Sequence, residues 1–111
     1  MTLKFHRSLT EEKWAVFPFS RQILMIGNEL NRAQHWLEQK DPDEAGQCYE
    51  RAFELLALTI AVTKRHSALR ELIRFQELLA QQYLKAEAEE NARLLRTLLS
   101  FDRESFATIE N

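Results

Sequence analysis

The sequence predicts an all-α fold: an antiparallel bundle of three long helices, with a short N-terminal helical arm and an extended or bent C-terminal helical segment. Three observations lead there. The chain holds two Gly and two Pro in 111 residues, too few for the tight turns on which sheets depend. Leu, Ala, Glu, Gln and Arg abound, all good helix formers. Apolar residues recur every third or fourth position, the period of a half-buried helix. Hydrophobic residues make up 45% and charged residues 29%, which suits one modest core in a single domain spanning residues 1–111.

Residues 1–19 read as the arm. Thr10, followed by Glu11, Glu12 and Lys13, suits the cap of a single helical turn, and Pro18 ends any helix there. Phe5, Leu9, Trp14, Val16, Phe17 and Phe19 are too many large apolar groups for a solvated tail, so the arm must lie on something.

The first long helix is expected over residues 20–40 with Ser20 as N-cap. Ile23, Ile26, Leu30, Ala33 and Leu37 form one seam. Leu24, Met25 and Trp36 fall off that seam, so the start of this helix is apolar all round and needs cover on more than one side.

Lys40-Asp41-Pro42-Asp43-Glu44 is the clearest punctuation. Asp41 reads as N-cap and Pro42 as the first helical residue, with two acids at the positive end of the helix dipole. The second helix, residues 42–64, carries a wide apolar arc that includes Cys48, with Gln47, Glu50, Arg51 and Glu54 opposite.

Lys64-Arg65-His66-Ser67 reads as a weaker break, with Ser67 capping a third helix over residues 67–100. Leu69, Leu72, Ile73, Leu79, Ala80, Tyr83 and Leu84 make its stripe, and Phe75 and Leu78 lie off it. At Glu87, Glu90 and Asn91 the stripe turns polar, then resumes as Leu94, Leu95, Leu98 and Phe101 before a frayed tail over residues 102–111. Ala86, Ala88 and Ala92 favour unbroken helix through the polar stretch. The last apolar stripe is therefore expected to project beyond the bundle and dock on a second subunit. A fold-back onto Trp14 and Phe17 is the alternative.

Ala33, Trp36, Ala45, Tyr49 and Ala52 fall on the small and aromatic positions of a tetratricopeptide hairpin, and KDPDEAGQCYERAFEL resembles that family's second helix. Glu29 and Arg32 stand where the family has apolar residues, Ala57 stands where it favours Pro, and no second copy follows. A solenoid needs about three repeats, so two generically packed helices are expected. SRQILMIGNELNRAQHWLEQKD with its D-x-x-EA turn also resembles the small helical-bundle chaperones that hold export substrates such as flagellin.

No chemical motif stands above background. None of His6, His35 and His66 has a Glu three residues before it, as the helical di-iron pattern requires. Cys48 lies on an apolar arc without a neighbouring His and reads as a small core residue. Arg70 and Arg74 share a face near Lys64, Arg65 and His66, but Glu71 and Glu77 dilute that cluster. Basic and acidic residues number six and five in residues 1–41, three and four in 42–66, and six and eight in 67–111, so no nucleic-acid footprint is expected. No apolar run is long enough for a bilayer, and the first residues lack a signal-peptide pattern. With a single cysteine, a cytoplasmic location fits.

The functional expectation is a non-enzymatic helical interaction module without cofactor or metal, self-associating as a homodimer. Leu94, Leu95, Leu98, Phe101, Met25 and Trp36 are its expected contact residues. An adaptor or export-type chaperone that holds a partner's amphipathic helix is the alternative.

Overall fold

The computed structural model describes the backbone of residues 3–110 and the side chains of residues 3–101. It is all-helical over that range, in the order α1 Glu11–Ala15, α2 Phe19–Glu38, α3 Pro42–Val62, α4 His66–Lys85 and α5 Ala88–Glu110. Short turns at residues 39–41, 63–65 and 86–87 make the long helices antiparallel neighbours. α2 packs on α3 and α5, α4 packs on the same two, and α1 rests on α3. The bundle therefore closes as a ring of four long helices, and the C-terminal segment is bent rather than extended.

The caps at Thr10 and Asp41 are local and form as their residue types dictate. The Thr10 hydroxyl accepts from the Lys13 N–H at 3.2 Å, and the Asp41 carboxylate accepts from the Glu44 N–H at 3.1 Å with Pro42 at the first helical position. Two other caps differ from expectation. Pro18 occupies the N-cap position of α2, so Ser20 lies inside the helix. Arg65 occupies that of α4, so Ser67 is also inside. Neither Pro18 nor Arg65 makes a side-chain capping bond.

The seam Ile23, Ile26, Leu30 and Ala33 is buried, as are Ala45, Cys48, Ala52 and Leu56 of α3. Trp14 plugs the α1 end, where its indole N–H donates to Thr59 Oγ1 at 2.9 Å. On α4 the buried face is Leu72, Phe75, Leu79 and Gln82, not the stripe through Ile73, Ala80, Tyr83 and Leu84. Phe75, off-stripe by sequence, meets Phe101 edge-on at 5.9 Å.

The unbroken helix over residues 67–100 is the main correction. Ala86 adopts the left-handed conformation (φ 54°, ψ 46°) and ends α4. For a residue with a Cβ this costs roughly 1–2 kcal/mol, and alanine's helix propensity opposes it too. Burial outweighs both, because the bend lays Leu94, Leu98 and Phe101 into the core of their own chain. It also places Asn91 where it is 0% exposed. Asn91 Nδ2 donates to Leu30 O at 2.9 Å and to Gln34 Oε1 at 2.7 Å. Its Oδ1 accepts from the Tyr49 hydroxyl at 2.6 Å. Gln82 Nε2 donates to that hydroxyl at 3.1 Å and to Glu87 O in the turn at 2.6 Å. Asn91 with Tyr49 and Gln82 thus ties all four long helices together, while the Glu87 side chain of the same polar stretch is exposed. The backbone of α5 continues as helix to Glu110, and no Gly or Pro follows Phe101 to stop it.

Two substitutions test this account with opposite signs. Ala86→Gly removes the left-handed penalty and is expected to raise unfolding free energy by about 1 kcal/mol in urea titration. A loss of stability would show that the turn is not strained. Asn91→Leu takes the acceptor from the buried Tyr49 hydroxyl and the donor from Gln34 Oε1 and is expected to cost at least about 2 kcal/mol; a near-neutral result would remove the network from the account.

Candidate functional site

The six expected contact residues do not form one surface. Leu94, Leu98 and Phe101 are buried, and Leu95 is half-buried against Gly27 on the α5 side of α2. Met25 and Trp36 are half-buried and pack against the core. Their spacing from Glu29 puts them on the other flank of α2, the one facing α3 through Arg51.

That flank is an ionic seam. Glu29 is buried, and Arg51 Nε lies 3.1 Å from both of its carboxylate oxygens, with Arg32 at 3.2 Å on the solvent side. Arg51 also donates to Cys48 Sγ at 3.2 Å. Burial pushes the thiol's pKa up and outweighs the nearby guanidinium, so Cys48 stays protonated and is a poor nucleophile. The Tyr49 phenol is likewise pushed up to about 12 by burial and stays a neutral hydroxyl that donates to Asn91 and accepts from Gln82. His35 is exposed, with its ring edge-on to Trp36 at 5.0 Å. Among the described residues, no three His, Cys, Asp or Glu side chains gather as a metal site needs, and no helix is long and apolar enough to cross a membrane.

The polar strip on the outer face of α3 holds the N-terminal arm. Glu54 accepts hydrogen bonds from three successive backbone N–H groups, those of Lys4, Phe5 and His6, at 2.8–3.1 Å, and contacts His6 Nδ1 at 2.9 Å. The Phe5 ring lies 5.5 Å from the Arg51 guanidinium, and Leu3 is buried. Burial alone would raise the Glu54 pKa, but the converging N–H groups and His6 outweigh it and hold the carboxyl below its ordinary value.

Three open features lie on the surface. One flank of α4 presents Ile73 (43% exposed), Tyr83 (41%) and Leu84 (84%). A groove of about 610 Å³ lies between the arm, the start of α3 and the end of α4, with Gly46 and Tyr83 among its walls. A second groove of about 400 Å³ is walled by Phe17, Phe19 and Val62 and edged by Lys64 and Arg65. Sequence reasoning placed Ile73, Tyr83 and Leu84 in the core. Their spacing signal is real, but Ile73 and Leu84 fall on the solvent side of α4, away from the buried Leu72, Phe75, Leu79 and Gln82.

Comparison with family models, with curated proteins and with solved structures found no match to this chain.

The Glu54 clamp yields a pH dependence with a definite sign. A carboxyl with a depressed folded-state pKa contributes stability above the ordinary glutamate range, near 4.3, and loses it as pH falls through the folded value. The Lys4, Phe5 and His6 amides should therefore be protected from hydrogen exchange at neutral pH and lose protection in acid. Glu54→Gln should remove about 1.5–3 kcal/mol of arm docking at neutral pH. Unchanged amide protection in that variant would show that the arm is held by its apolar residues alone.

Proposed function

We propose that the chain is a non-enzymatic helical interaction module that self-associates. The observation carrying this reading is the apolar flank of α4. Helices of a closed bundle keep their outer flanks polar, yet Ile73, Tyr83 and Leu84 stand open to solvent beside a core face that is already filled. Gathered apolar groups mark a contact surface more often than scattered ones do, and Tyr83 and Leu84 adjoin at the end of α4, with Ile73 about three turns earlier on the same helix. The homodimer expected from sequence keeps its rationale but moves from Leu94–Phe101, now covered by α2 and α4, to α4. A reducing compartment such as the cytoplasm suits a partner-binding chain whose one thiol is buried.

A second reading, an adaptor holding a partner's amphipathic helix, is favoured by the groove walled by Phe17, Phe19 and Val62. Its Lys64 and Arg65 rim suits a helix with acidic flanks. Sedimentation velocity of the chain alone separates the two. Self-association predicts a dimer at tens of micromolar, whereas a monomer at that concentration overturns it and leaves the adaptor.

A further inference from the structure

We infer that the groove between the arm, the start of α2 and the α3–α4 turn takes an acidic peptide segment of another protein. That segment carries Asp or Glu within a turn of a large apolar side chain. This deepens the adaptor reading and rests on it. The first observation is the recess itself. Phe17, Phe19 and Val62 give it apolar walls, and at about 400 Å³ it is near the small end of ligand pockets. That is room for anchor side chains and not for a whole helix, so one short stretch of the partner is held.

The second observation is charge of one sign. Lys64 and Arg65 line the groove, and neither makes an ion pair among the described residues. Arg21 adds a third cation beside it, 6.0 Å from the Phe17 ring. No acid is among the lining residues. The helix ends add to this. α2 and α4 both begin at the groove, with Phe19 and Ala68 in their first turns, and neither has a side-chain cap or an acid there. α1, α3 and α5 each carry two acids in the first turn. Two positive helix ends and three cations thus gather around one recess without a counter-charge among its walls. A carboxylate from outside supplies it, whereas a basic segment would be repelled.

The third observation is Gln22, 4% exposed and part of the same wall. Its Nε2 donates to the Trp14 and Phe17 carbonyls at 3.0 and 3.1 Å, and its Oε1 accepts no hydrogen bond among the described residues. An acceptor fixed in this way suits a backbone N–H. A peptide has that donor, and a fatty acid or simple anion lacks it.

Panning a random dodecamer display library on the purified chain tests this, with the Lys64→Glu/Arg65→Glu double variant panned in parallel. Both positions lie outside the core, so circular dichroism should show the wild-type fold. The wild type is expected to enrich peptides with Asp or Glu flanking an aromatic residue or leucine. A selected peptide, followed by fluorescence anisotropy, should bind the double variant roughly tenfold more weakly or worse. Arg74→Glu/Lys85→Glu makes the same change of charge elsewhere on α4 and should leave binding unchanged. A library without enriched peptides would overturn the adaptor reading itself. Enriched peptides that lack acids, or that bind the double variant as well as wild type, would overturn this partner chemistry and leave the adaptor standing. A wild-type dimer that only the Lys64→Glu/Arg65→Glu variant dissociates would put a second copy in the groove and overturn the inference too.

Discussion

The bundle depends on one buried asparagine. Asn91 has donors and acceptors that must be met once water is excluded, and only one placement of α5 meets them all. That placement sets its Nδ2 on Leu30 and Gln34 of α2 and its Oδ1 on Tyr49 of α3. A shift of α5 by one turn would move the side chain about 5 Å and strand every partner. Apolar contacts such as Leu98 or Phe101 tolerate sliding far better. The network therefore sets register, and the leucines around it supply most of the driving force. Its cost is visible in Gln82, whose Oε1 is buried and has no hydrogen-bond partner among the described residues.

The same division of labour governs the arm. Leu3, Phe5 and Trp14 give it reason to lie on the bundle, but apolar contact alone would let it wander over α3. Glu54 fixes where it lies, because three backbone N–H groups converge on one carboxylate. Arg51 serves twice, pairing with Glu29 beneath and lying against Phe5 above. The outer face of α3 is thus a second layer of the structure, organised by charge where the inner face is organised by burial.

What sequence made legible follows from the range of the interactions. Asp41-Pro42 and Thr10 were readable because a cap is settled within four residues. The α2 seam was readable because it is uniformly apolar at one spacing. The bend at Ala86 was not, since every local signal there favours helix and the decision is made by Asn91, Leu94 and Leu98 meeting α2 and α4. Glu54 was equally hidden: its partners are backbone N–H groups, which leave no mark on residue identity. Asn91 pointed the wrong way, because a polar side chain in a stripe reads as solvent-facing until its partners are known. Of the contact residues expected from sequence, Leu94, Leu98 and Phe101 proved to be core for that same reason.

The misreading of α4 explains why its outer flank is informative. Seven apolar residues over Leu69–Leu84 looked like one face because a helix with a single stripe is the commonest case. They are not, since Leu72 and Leu79 join Phe75 and Gln82 in the core while Ile73, Ala80, Tyr83 and Leu84 are exposed, with Tyr83 edge-on to Tyr49 and Phe53 of α3. One apolar face would have been enough to close the bundle. The rest is left over from packing, and Leu84 at the end of α4 is 84% exposed.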